Sequence, residues 1–212
     1  MNGRRARLAI HLKEHATIYI FMVILFLTGI VFGAIIVNSM NFVQKQDLYF
    51  YLERFFGEIA KGDALEQGRI LKSSFLYHMK YLLIMFVLGL SVIGLPIVWV
   101  FLFLKGLVVG FSVGFIVNQL GMKGLMLASL AIAPQNLLII PTYIAAGSLS
   151  MVFSLTLLGK LFGRRVTQPV MEPFIRYVSV YAVLLVFGLL AALLETFVAN
   201  EAMGVLIRSF YK

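Results

Sequence analysis

The sequence predicts an all-α protein, a polytopic membrane helical bundle of five spans with a broken or re-entrant fourth segment. Three observations predict it. Five long stretches, Ala16–Val37, Tyr81–Leu104, Gly106–Met122, Gly124–Gly159 and Tyr177–Leu194, contain no Asp, Glu, Lys or Arg. Hydrophobic residues make up 61% of the chain and charged residues 13%, against roughly 45–50% and 25% in soluble domains. The charges gather in the gaps between the stretches. An apolar run of about 18 residues or more crosses the roughly 30 Å hydrocarbon core as a helix.

The first span covers about residues 16–37. Arg4, Arg5 and Arg7 before it suit the basic start of a signal peptide. The uncharged run is longer than the usual h-region of about 7–15 residues, however, and no A-x-A-like site follows, so a retained span is expected. Arg4, Arg5, Arg7 and Lys13 precede this span, whereas only Lys45 closely follows it. Cytoplasmic flanks are enriched in Lys and Arg, which places the N-terminus inside. Gly29 and Gly33 remove side chains from one face of the helix and allow close backbone approach.

An outer loop follows over residues 38–80, with an amphipathic helix over about 48–61. Leu48, Leu52, Phe55, Phe56 and Ile59 fall on one helical stripe, with Glu53, Arg54, Glu58 and Lys61 off it. Tyr49, Phe50 and Tyr51 thicken the stripe with aromatic rings. Such a helix docks a partner outside the cell or rests in the lipid headgroups.

Residues 81–104 form the second predicted span, mildly kinked at Gly94 and Pro96, and Lys105-Gly106 reads as a tight cytoplasmic turn. The third, 106–122, is short. Its Gly106, Gly110 and Gly114 form a small-xxx-small ladder, which packs spans within one chain or forms a homodimer seam. The fourth stretch, 124–159, is too long for one ordinary span. Pro134 and Pro141 interrupt it, with Gln135 and Asn136 beside the first. Proline removes a backbone donor and clashes with the preceding turn, which predicts a short or re-entrant piece near 125–133 and a break at 134–136. A broken helix at membrane depth builds a substrate site or is a kink satisfied internally. The last span, about 177–199, follows Lys160, Arg164, Arg165 and Arg176. It therefore runs outwards and leaves the C-terminus outside.

These assignments limit the chemistry. No ionisable residue lies well inside a predicted span; Glu195 comes nearest, at the outer interface. Ion-coupled transporters place such groups within the membrane, so the reading moves away from coupled transport and leaves a passive conduit open. No cysteine is present, which excludes disulfides and thiolate chemistry. His11, Glu14 and His15 match an H-x-x-E-H pattern, but without a third ligand or a catalytic domain they read as a juxtamembrane polar segment. No catalytic, cofactor-binding or metal site is expected. The formal net charge of +9 lies in short clusters beside apolar runs, a pattern of topology and anionic-lipid contact rather than of nucleic-acid binding.

The first span with its flank, Glu14-His15 through "YIFMVILFLTGIVFGAIIVNSM", resembles the stage II sporulation protein M family of endospore-forming bacteria. So do "GLPIVWVFLFLKGLVVGFSVGF", the following "APQNLLIIP" and the basic pair Arg164-Arg165. The resemblance implies a non-enzymatic scaffold in the mother-cell or septal membrane. It would recruit and position peptidoglycan-degrading enzymes, the stage II sporulation proteins D and P, while the membrane migrates during engulfment. The alternative expectation is a permease-like or channel subunit built on the broken helix at 134–141.

Overall fold

The computed structural model describes residues 14–60, 67–162 and 171–210, and all regular structure among them is helical. The first apolar run winds into α1 (Ala16–Ser39). Asn41 then starts α2 (Phe42–Ala60) through a reciprocal cap. The Gln44 backbone N–H donates to Asn41 Oδ1 at 2.9 Å, and the Asn41 N–H donates to Gln44 Oε1 at 3.1 Å. Two backbone donors at the helix start are thereby satisfied.

Helix α3 (Gln67–Gly89) ends in a 3₁₀ turn, Val92–Gly94, before α4 (Leu95–Leu127). Pro96 sits in the first turn of α4, where its missing N–H costs no intrahelical bond. Gly94 and Pro96 therefore mark a boundary between helices rather than a kink inside one. The predicted turn at Lys105-Gly106 is absent: α4 runs through both residues. The sequence boundary was drawn at a charge, whereas the chain turns where Gly94, Pro96 and the Ser91 cap favour it. Ser91 Oγ accepts a hydrogen bond from the Ile93 N–H at 3.3 Å.

Four continuous helical stretches among the described residues are long and apolar enough to cross a membrane: Ala16–Ser39, Gln67–Gly89, Val92–Lys160 and Met171–Ser209. The third folds back on itself. Gly121 has φ +57° and ψ −129°, a conformation that L side chains rarely adopt. Beyond it, a Cβ on Gly124 would lie 2.2 Å from the Ile116 carbonyl oxygen, although eight residues of straight helix would separate the two by about 12 Å. Gly121 thus makes a hairpin within the stretch that contains α4.

The returning arm continues through a π turn, Ala128–Ile132, into α5 (Ala133–Phe162). The expected break at Pro134–Asn136 is instead this π turn, just before Pro134. Its wider winding adapts the helix to the proline. Pro141 is accommodated inside a continuous helix. Helix α6 (Met171–Leu194) passes through a second π turn, Glu195–Ala199, into α7 (Asn200–Phe210).

Contacts set the directions of the five arms. Gly106 meets Phe26 and Gly110 meets Ile30, so α1 and α4 run parallel. Tyr81 meets Phe101 and Tyr77 meets Lys105, so α3 opposes α4. Tyr143 meets His78 and Ser150 meets Met85, which aligns α5 with α3. Ser74 meets Glu195 and Phe86 meets Tyr177, which sets α6 against α3. One end of the bundle, the basal end, holds Gly89, Ser154 and Tyr177. The other, the platform end, holds Ser74, Gly121 and Glu195.

Met22, Phe26, Leu82, Met85, Leu102 and Tyr143 form the centre of the core. Towards the basal end, small hydroxyls tie helices together through backbone carbonyls: Ser150 Oγ to Met85 O at 3.0 Å and Ser154 Oγ to Gly89 O at 2.7 Å. Apolar side chains also cover the outside. Ile24, Val31, Val87 and Val183 are each more than half exposed, as hydrocarbon rather than water requires.

Candidate functional site

Near the platform end, α3, α4, α5 and the two π turns line a half-open chamber of about 380 Å³. Its lining is unusually polar for the inside of an apolar bundle. Ser73, Ser74, Tyr77 and His78 come from α3, Lys105 and Ser112 from α4, Gln135 and Asn136 from α5, and Glu195 from the second π turn. The sequence reading set no ionisable residue well inside a predicted span, but the helical stretches Gln67–Gly89 and Val92–Lys160 carry His78 and Lys105 within them. His78 is buried, and Lys105 is in mid-helix rather than at a turn.

The groups are organised around His78. Its Nδ1 lies 2.7 Å from the Tyr143 hydroxyl. That hydroxyl has no other hydrogen-bond partner among the described residues, so the network assigns the phenol as donor, Nδ1 as acceptor and the N–H to Nε2. Nε2 faces Glu195 Oε2 at 3.6 Å, beyond hydrogen-bond reach, and has no hydrogen-bond partner. The His78 side chain is 5% exposed and that of Glu195 34%, so the imidazole is sealed while the carboxylate opens to the chamber. Ser74 Oγ donates to the same Glu195 oxygen.

Lys105 stands opposite in an aromatic cage. Its Nζ donates to the Tyr77 hydroxyl at 3.2 Å and lies 4.6, 5.2 and 5.9 Å from the ring centroids of Tyr77, Tyr143 and Tyr81. The negative ring faces attract the cation. Tyr81, whose hydroxyl donates to the Phe101 carbonyl, packs against Tyr143 with ring centroids 4.4 Å apart and planes tilted by 41°. Gln135 Oε1 is buried without a partner, whereas Asn136 Nδ2 donates to the Ile132 carbonyl at 2.8 Å across the π turn. Ionisable groups inside membrane-spanning segments are costly and mark ligand, ion or proton sites in membrane proteins.

The remaining sequence candidates lie elsewhere. Cβ atoms on Gly29, Gly33, Gly106 and Gly110 would each fall 2.1–2.3 Å from a carbonyl oxygen of the facing helix, α1 against α4. Gly114 faces Ala34 and Val37 at ordinary contact distance. The stripe on α2 divides. Phe56 is buried with Leu127, Ala131 and Ile207, and Leu52 packs against them. Leu48 is half-buried and Phe55 is 40% exposed. The side chain of Ile59 lies outside the described residues. Helices α2 and α7 thus form a platform over the Gly121 hairpin, with Phe50, Tyr51 and Phe55 turned outwards.

Pro134 is half-buried beside the chamber, and Pro141 is exposed. His11, Arg164 and Arg165 lie outside the described residues. Glu14 and His15 line a separate basal cavity of about 450 Å³ with Lys160, Glu172 and Arg176. Among the described residues, no three His, Cys, Asp or Glu side chains gather as a metal site.

Sequence reasoning missed His78, Lys105, Tyr143 and the role of Glu195. A signal was available in the spacing: Ser74, His78 and Tyr81 fall at i, i+4 and i+7, so a polar stripe runs along one face of α3.

The family model described as Stage II sporulation protein M matches residues 22–200, well over half of the chain. The chain belongs to the stage II sporulation protein M family. Membership in the stage II sporulation protein M family ties the protein to sporulation and confirms the resemblance drawn from the first span and the middle segments. The matched region contains every chamber residue and all of α2. The His11–His15 segment falls outside it. No curated protein and no solved structure matches the chain.

Proposed function

We propose that this family member is a non-enzymatic, multi-pass membrane scaffold that recruits and positions peptidoglycan-degrading enzymes during engulfment. In this reading the N-terminus is cytoplasmic, the C-terminus lies outside, and the five arms are five crossings. The platform carries the proposal. Its inner face is fixed to the bundle by Phe56, Leu127 and Ile207, while Phe50, Tyr51 and Phe55 form an exposed aromatic edge, 63%, 67% and 40% accessible. A docking surface on rigid elements loses little entropy on binding, and exposed aromatics are the residues that anchor interfaces. The stage II sporulation proteins D and P are the proposed occupants.

Crosslinking from single sites within residues 38–80 in sporulating cells tests this reading, with the captured proteins identified. Phe50→Asp and Phe55→Asp should lower recovery of the two hydrolases at least tenfold in a stably inserted protein. Unchanged recovery in both variants would remove the platform from the proposal.

The polar chamber supports a second reading, a permease-like subunit. Glu195, Lys105 and Gln135 beside the π turn before Pro134 supply the interior polar groups that a conduit uses. Solute flux into proteoliposomes, lost on substitution of Gln135 and Lys105, is the expected result; a sealed wild-type protein would argue against it.

A further inference from the structure

We infer that the chamber beside His78 binds a small zwitterion of the amino-acid type, its carboxylate towards Lys105 and His78 Nε2 and its ammonium towards Glu195 and Gln135 Oε1. The inference deepens the permease-like reading, but it concerns binding and is tested apart from flux.

Two buried atoms of opposite hydrogen-bonding sense lack a hydrogen-bond partner at this site. His78 Nε2 is the donor left over once Tyr143 has satisfied Nδ1, and Gln135 Oε1 is an acceptor. Buried polar atoms are rarely left unmatched, and here both belong to residues that line one cavity. A ligand that matches them needs an acceptor at one end and a donor at the other.

Charge narrows the class. Lys105 and Glu195 line the same cavity, yet the carboxylate accepts from Ser74 and stands 3.6 Å from His78 Nε2, while the ammonium bonds Tyr77 and faces the aromatic cage. No ion pair joins them. Lys105 spends one of its three N–H donors on Tyr77, leaving two for an anionic group. Glu195 Oε2 takes the Ser74 bond, leaving Oε1 for a cation. The two fixed charges sum to zero. A singly charged ligand would match only one of the two fixed charges and leave the other without a counter-charge. A zwitterion brings a complementary charge to each end and no net charge. The cavity, about 380 Å³, lies in the usual range for small-molecule sites.

The test uses the full chain in lipid nanodiscs and equilibrium binding of radiolabelled alanine and serine, each as both enantiomers. N-acetylalanine, which keeps only the carboxylate, and alanine methyl ester, which keeps only the ammonium, serve as competitors. Saturable binding of at least one zwitterion is expected, with both competitors at least tenfold weaker. Lys105→Met and Glu195→Gln should each weaken binding at least tenfold, while Lys80→Met, at an exposed position on α3, should leave it unchanged. The inference is overturned by no saturable binding of any of the four, by a singly charged competitor as effective as the zwitterion, or by binding that survives both chamber variants. The competitor series on the wild-type protein decides alone if a variant does not fold. Binding without flux would sink the permease-like reading and leave this one standing; flux without saturable binding would do the reverse.

Discussion

Tyr143 and Ser150 lie two turns apart on α5, and both hold other helices through a hydroxyl, but they differ in what their loss would strand. Tyr143 is the sole partner of His78 Nδ1. Tyr143→Phe leaves a buried imidazole nitrogen unmatched, at a cost of about 1–3 kcal/mol. Ser150 bonds Met85 O and the hydroxyls of Tyr177 and Tyr181. Those phenols keep carbonyl partners at Phe86 and Ala146, so Ser150→Ala should cost only about 0.6 kcal/mol, the usual size of such bonds in membranes. Denaturant unfolding in micelles, followed through the single tryptophan, Trp99, checks the order. A larger loss for Ser150→Ala would contradict it. His78 and Lys105 were hard to place from sequence because a search for charge-free runs treats every charge as a boundary. A lysine sheltered by three tyrosine rings violates that premise from inside a helix.

Among the elements, α1 and α4 make the closest contact. A leucine at Gly110 would drive its Cβ to 2.1 Å from the Ile30 carbonyl oxygen, and backbone gives way far less readily than a side-chain tip. Gly110→Leu should therefore separate α1 from α4 and destabilise the bundle by at least the ~1–3 kcal/mol of ordinary overpacking. Gly114→Ala, at a position where contacts begin at 3.5 Å, should be nearly neutral; thermal unfolding of the two variants distinguishes them. Gly121 differs in kind, since a Cβ there would meet nothing within 4 Å. Its substitution acts through backbone strain alone, and Gly121→Ala should cost about 1–3 kcal/mol. A neutral result would show that the hairpin relaxes without its positive φ. The sequence pattern made the glycine spacing legible as a close approach but not the partner helix. Nor did it distinguish Gly121 from the packing glycines, because a hairpin and a packed interface call for the same residue for different reasons.

Across the whole molecule, five arms carry the platform at one end and Lys160, Glu172 and Arg176 at the other. With no native cysteine, single-cysteine reporters have no background. In intact cells, cysteine at Gln44 or Lys72 should react with an impermeant maleimide, and cysteine at Glu172 only after lysis. The reverse pattern would invert the proposed orientation. By itself, the sequence determined the helical, membrane-compatible class and the family, because the need to satisfy every backbone group in hydrocarbon leaves a run such as Ala16–Val37 little choice but helix. Only the tertiary structure decided which faces turn inwards, where the long central stretch folds back, and that His78, Lys105 and Glu195 share one chamber. The physical reason is the solvent. In water, apolar periodicity reports the buried face, but α1 is apolar on every side, and lipid accepts any of those faces. The choice then falls to close backbone packing and to pairing between distant polar groups, and neither is written in the local pattern of any single segment.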